Sequence, residues 1–184
     1  LEGVKQMRES VDALLVINNQ RLIEVYKNFT VSEAFAKADD TLSNAARGIS
    51  ELVNIAGEVN LDFADVDTVL RGGGVAVINT GYAKGEDRMT LAIQEALNSP
   101  LLNNNNISKA RQLLINVYYD DEAPLTVDEF SQIHEFTSEF SDEVNTIHGI
   151  SRKEGLGTKL GVTILASGFG FDEDIFIPKT VKKR

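Results

Sequence analysis

Residues 30–57, TVSEAFAKADDTLSNAARGISELVNIAG, decide how the chain is organised. Thr30 and Glu33 have the spacing of a capping box, in which hydroxyl and carboxylate satisfy free amides of a first helical turn. Apolar side chains recur at Phe35, Ala38, Leu42, Ala45, Ile49, Leu52 and Ala56, while Lys37, Asp40, Asn44, Arg47, Glu51 and Asn54 fall off that line. Gly57 supplies the stop. The pattern predicts a helix over 31–56, roughly 39 Å long at about 1.5 Å per residue, which is above the usual globular length. Part of its stripe is alanine, so neighbouring backbones can come close. It reads as a spine between two packed bodies.

Upstream, Glu2 to Ser10 is helix-like, and the apolar run Ala13-Leu14-Leu15-Val16-Ile17 reads as a buried strand ending at the turn Asn18-Asn19-Gln20. Downstream, strands and helices alternate. Val75 to Asn79 is a strand, Met89 to Leu97 a helix ending before Pro100, and Leu113 to Tyr119 a strand. Thr126 and Glu129 repeat the capping-box spacing and open a helix with Val127, Phe130, Ile133, Thr137 and Phe140 on one side. Asn145 to Ser151 and Lys159 to Ser167 read as closing strands. The expected class is α/β (α+β): a long central helix leading into a mixed four-stranded sheet with helices packed on one face.

Length and charge bound the function. The 184 residues are 42% hydrophobic, enough for a proper core, and carry a net charge of -10. A phosphate-binding surface shows a basic stripe, so nucleic acid is not an expected partner. There is no Cys. That excludes disulfides and thiolate chemistry and points to a reducing cytoplasm. No apolar run approaches the roughly 20 residues that span a bilayer, and no signal peptide is present, so direct membrane insertion is not expected. The chain starts without Met, inside a helical pattern, as a piece of a longer protein would.

Between spine and sheet lies Asn60-Leu61-Asp62-Phe63-Ala64-Asp65, an asparagine and two carboxylates at an irregular point before Gly72-Gly73-Gly74. At a helix start Asp62 and Asp65 share one face. They can cap the helix, or polarise a water for attack, and one can do each. Two acids without a visible pocket read as half of a site whose substrate arrives on another surface. The three glycines precede a strand rather than a helix, so they read as a tight turn, not a phosphate cradle. His134 and His148 fall on different elements without Cys or a spaced carboxylate, which disfavours zinc; no metal site is assigned. Phe35 and Asp39 lie one turn apart. The ring is a core residue beside a solvated acid, or the pair reads a planar base, for which guanine offers adjacent N–H donors.

Several of these stretches together resemble the carboxy-terminal half of the FtsZ family, bacterial tubulin homologues of the division ring. The matching pieces include Glu33-Ala34-Phe35 through Asp39, Asn60 to Val66, Gly85-Glu86-Asp87-Arg88, Ser99-Pro100-Leu101-Leu102 and Ala166-Ser167-Gly168-Phe169-Gly170. The similarity runs from about residue 3 to 171.

The resemblance implies a filament-forming GTPase whose acidic loop enters the nucleotide site of the next subunit. Asp62 and Asp65 are then the catalytic pair with Asn60 assisting, Phe35 and Asp39 contact guanine, and Asn19 lies near the nucleotide. GTP or GDP is the ligand of the intact protein, with Mg2+ accompanying it, and this chain alone binds neither. The family's glycine-rich phosphate signature is absent from it. Residues 1–30 correspond to the end of the GTP-binding domain, 31–57 to the central helix, 58–171 to an activation and polymerisation domain, and 172–184 to the start of a flexible linker. Partners are further copies in a head-to-tail filament, and division-ring proteins through a tail absent here; the location is cytoplasmic, at the division site. The alternatives are a polymer-interface module whose acids only cap a helix, and a small-ligand regulatory domain.

Overall fold

The computed structural model describes residues 2–15, 28–98, 107–140 and 143–169. In chain order they form α1 (Glu2–Arg8), β1 (Ala13–Leu14), α2 (Val31–Asn54), β2 (Gly57–Val59), α3 (Phe63–Leu70), β3 (Gly74–Ala83) and α4 (Arg88–Leu97). A single 3-10 turn (Ile107–Lys109) leads to β4 (Gln112–Tyr119), α5 (Val127–Ser138), β5 (Asn145–Arg152) and β6 (Leu160–Phe169). Asn19, the Ser99–Leu102 stretch and the 172–184 tail lie outside the described residues.

A mixed sheet forms, as expected, but it has six strands in the order β1-β3-β6-β4-β5-β2. The four strands anticipated from the sequence are its centre. Two short edge strands widen it: β1, the start of the strand read at 13–17 (residues 16–17 lie outside the described ones), parallel to β3, and β2 antiparallel to β5. Strands β4 and β5 run parallel, and α5 makes the crossover that a parallel pair needs.

Helices cover both faces rather than one. The reason is in β4 and β6, which are buried along nearly their whole length. A strand buried on both sides takes cover from above and below. On one face Leu113, Ile115, Val117, Val162 and Ile164 pack with Met89, Ala92 and Ile93 of α4 and Ile133 of α5. On the other, Leu114, Leu165 and Ile78 pack with Ala45 and Leu52 of α2 and Val66 and Val69 of α3. Alternate residues of β4 thus serve opposite cores, as the two-residue period requires.

The capping box at Thr30 and Glu33 is present, and α2 runs 24 residues before Ile55 turns extended at φ -89°, ψ 113°. Gly57 then begins β2, where a Cβ would strike the Ile150 carbonyl. Burial along α2 is uneven. Ala34, Ala45, Gly48 and Leu52 are buried, but Phe35 and Leu42 stay about half exposed (52% and 53%), so the apolar stripe packs chiefly through its second half. That half is bolted down: Gly48 lies against Ile78, and Lys153 Nζ donates to Glu51 Oε2 at 2.8 Å.

A buried ion pair joins the helices of the first face. Arg88 donates from Nη2 to Glu129 Oε2 (3.0 Å) and from Nε to Oε1, and also reaches the carbonyls of Ala123, Pro124 and Thr158. Glu129 meanwhile caps α5 by accepting from the Thr126 amide. The Arg88 guanidinium holds the Glu129 carboxyl below its usual range. Breaking a buried pair strands a charge. The substitution Glu129→Gln is therefore expected to reduce unfolding free energy by about 3 kcal/mol in a denaturant titration at neutral pH. An unchanged midpoint would show that the carbonyls alone satisfy Arg88.

Although they belong to different elements, His134 and His148 meet with ring centroids 5.6 Å apart, and Phe130 packs edge-on against His134 at 5.3 Å. His148 Nε2 is buried without a hydrogen-bond partner. Burial, then the neighbouring His134, pushes the His148 imidazole below its ordinary value of 6.5. Since the folded value is depressed, the unfolded chain binds the proton more readily; the contribution is complete above about pH 6.5 and is lost as pH falls. Stability measured at about pH 7.5 and 5.5 should drop on acidification, and His148→Phe should flatten that slope. An equally steep slope in the variant would remove His148 as its source.

Candidate functional site

The acidic loop is built by three attachments. Asn60 closes the turn out of β2 by accepting the Gly57 amide at 3.1 Å. Leu61, 3% exposed, is wedged against β5, where a Cβ on Gly149 would come within 2.5 Å of its Cδ1. Val66 and Val69 then bury α3 on the sheet, and the Ser167 hydroxyl donates to the Val69 carbonyl. At the far end of α3, Arg71 clasps Asp67 through Nε and Nη2 (2.9 and 2.8 Å).

These attachments fix the two acids as a reciprocal cap. Asp62 sits at the N-cap with φ -117°, ψ 177°, and its Oδ1 accepts from Ala64 N (2.7 Å) and Asp65 N (3.1 Å). Asp65 Oδ2 accepts from Asp62 N at 2.9 Å. The capping role is real. It uses one oxygen of each carboxylate and leaves a second oxygen on each available to a water or another acceptor-seeking group. Asp62 is exposed and Asp65 half-buried, at the end of the helix whose dipole suits negative charge. The following glycines form the tight turn read from sequence, with φ of 63° at Gly72 and 67° at Gly74.

The other candidate pair is elsewhere. Phe35 and Asp39 lie on the first half of α2, both exposed, a turn apart on one side. Phe35 does not fill the core of this chain. The acidic loop follows the opposite end of α2, whose 24 residues span about 36 Å. The structure therefore brings Asn60, Asp62 and Asp65 together and does not bring Phe35 and Asp39 to them. Asn19 lies outside the described residues.

Two arrangements went unread in the sequence. The Leu61–Gly149 lock could have been signalled by a glycine inside the strand His148-Gly149-Ile150. The partners of the Arg88–Glu129 pair lie 41 positions apart and leave no local pattern. Among the described residues no cluster of three or more His, Asp or Glu could hold a metal ion. No helix there is long and apolar enough to cross a membrane. An open groove of roughly 450 Å³ between α4 and α5 has Arg88, already engaged, in its lining.

Known proteins give this geometry a family. A model of the FtsZ family C-terminal domain matches residues 74–170. Cell division protein FtsZ of Porphyromonas gingivalis is 55% identical over 172 residues, which are 94% of this chain and 38% of that relative. The Pseudomonas aeruginosa FtsZ is 37% identical over 171 residues, 92% of this chain and 43% of its own length. The chain thus spans less than half the length of these relatives. An empty FtsZ dimer from M. jannaschii superposes with a TM-score of 0.76 at 34% identity, covering 91% of this chain and 48% of that one. A GDP-bound CetZ1 monomer from Haloferax volcanii shares the fold at a TM-score of 0.67 and 19% identity, over 89% of this chain and 48% of its own. The model match covers more than half of the chain and the sequence similarity nearly all of it, with the acidic loop included, so the chain belongs to the FtsZ family.

Proposed function

We propose that this chain is the activating half of a filament-forming cell-division GTPase, and that loop 60–65 completes the GTP site of the adjacent subunit. The observation that carries the reading is the length of α2. Its first half holds Phe35 and Asp39, and its far end, about 29 Å along the axis from Phe35 and about 23 Å from Asp39, leads into Asp62 and Asp65. One nucleotide cannot touch both in a single copy. Copies arranged head to tail bring the base-reading end of one against the acidic end of the next. A relative solved as an FtsZ dimer is in keeping with self-association.

In this reading Asp62 and Asp65 orient a water toward the terminal phosphate with their free oxygens, and Asn60 holds the turn that presents them. Phosphoryl transfer depends on positioning and electrostatics more than on covalent help, which suits two fixed carboxylates. The described residues do not by themselves fit a metal cage. In this reading Mg2+ accompanies the phosphates on the GTP-binding half, and this chain alone is inactive. Exposed Val31, Phe35 and Leu42 on the first half of α2 suit a cover by that half, for which residues 1–30 form the border. Residues 58–171 form the activation domain, 172–184 begin a linker, and the assembled protein acts in the cytoplasm at the division site. Other division proteins bind beyond that linker.

Asparagine separates capping from catalysis, because its side-chain oxygen still accepts amide bonds. In the intact protein, Asp62→Asn and Asp65→Asn should each keep stability within about 0.5 kcal/mol and keep GTP binding, yet lower turnover by about 100-fold. Filaments of these variants should persist longer than those of wild type. Turnover at the normal rate in both would reduce the acids to helix caps and leave a pure polymer-interface module.

A further inference from the structure

Within the acidic loop, neighbouring side chains are treated in opposite ways. Leu61 turns into the core at 3% exposure, while Phe63, the first residue of α3, leaves 71% of its surface in solvent. Nothing in the fold of α3 calls for that ring. The helix packs through Val66 and Val69, its first turn is held by the Asp62–Asp65 cap, and Phe is a weaker helix former than straight-chain residues. Just before the loop, Val59 is 47% exposed as well. An aromatic fixed at a capped helix start has few rotamers to lose on contact, which makes it an economical anchor.

We infer that Phe63 is the anchor by which the loop seats on the next copy, holding the acids in place without taking part in the chemistry. The inference rests on the head-to-tail reading above. Phe63 follows Asp62 directly and is exposed, so a loop that seats its acids on the next copy carries this ring to the same junction. The occupant is a second copy of the same protein, because the loop that carries the ring is the one read above as entering the adjacent subunit.

The test uses the intact protein with Phe63→Ala and Phe63→Leu, following GTP-dependent assembly by sedimentation, turnover against protein concentration, and thermal melting. Alanine should raise the concentration for half-maximal assembly about tenfold, and leucine should recover most of that loss. Turnover should climb toward the wild-type plateau as protein concentration rises, and melting should not move. Assembly at the wild-type concentration would overturn the inference. So would a plateau that stays low at saturating protein, which would put the ring in the chemistry, or a melting temperature lowered by several degrees, which would make it structural. Asp65→Asn run alongside keeps the two ideas apart. Should it turn over normally, the shared-site reading fails; should it be inactive while Phe63→Ala assembles normally, only the anchor falls.

Discussion

Two strands that are buried on both sides organise this molecule, one face apolar and the other mixing Leu114 and Leu165 with Asn116, Thr163 and Ser167. Neither β4 nor β6 offers a face that water can cover, so helices are required above and below the sheet. The first layer is filled by α4 and α5. The second draws in the latter half of α2 and the whole of α3, and so decides where the chain between them must run. That connecting stretch is the acidic loop. Its position follows from burial of Leu61, Val66 and Val69 rather than from any interaction of the acids with the core.

The loop itself shows how one local device can serve two ends. A reciprocal cap satisfies amides of the first turn, and in doing so it fixes the direction of both carboxylates. Rigidity of this kind is what a water-orienting group needs. Capping and catalysis are thus not rival uses of Asp62 and Asp65; the cap is the mount on which the proposed chemistry depends.

Much of this was legible from residue patterns, and the failures have physical causes. The long helix, both Thr-x-x-Glu caps and the central strands follow from periodicity and capping, which are local properties. The acidic pair was legible as a cap for the same reason. The edge strand β2 was harder: it has only three residues, and its pairing with β5 depends on contacts nearly a hundred positions away. Phe35 and Leu42 fit the apolar stripe of α2 yet stay exposed, because periodicity identifies a face and not what covers it. The meeting of His134 with His148 needed the crossover of α5 over the sheet before it could be seen.

The uneven seating of α2 carries a mechanical implication. Gly48, Glu51 and Leu52 clamp its latter half to the sheet, while most of the first half stands clear of it. A stiff rod clamped at one end magnifies small rotations at the other. Over the roughly 26 Å from Gly48 to Val31, a tilt of about 5° at the clamp sweeps the free tip through about 2 Å. Any body resting on that tip would be displaced more than the residues at the clamp.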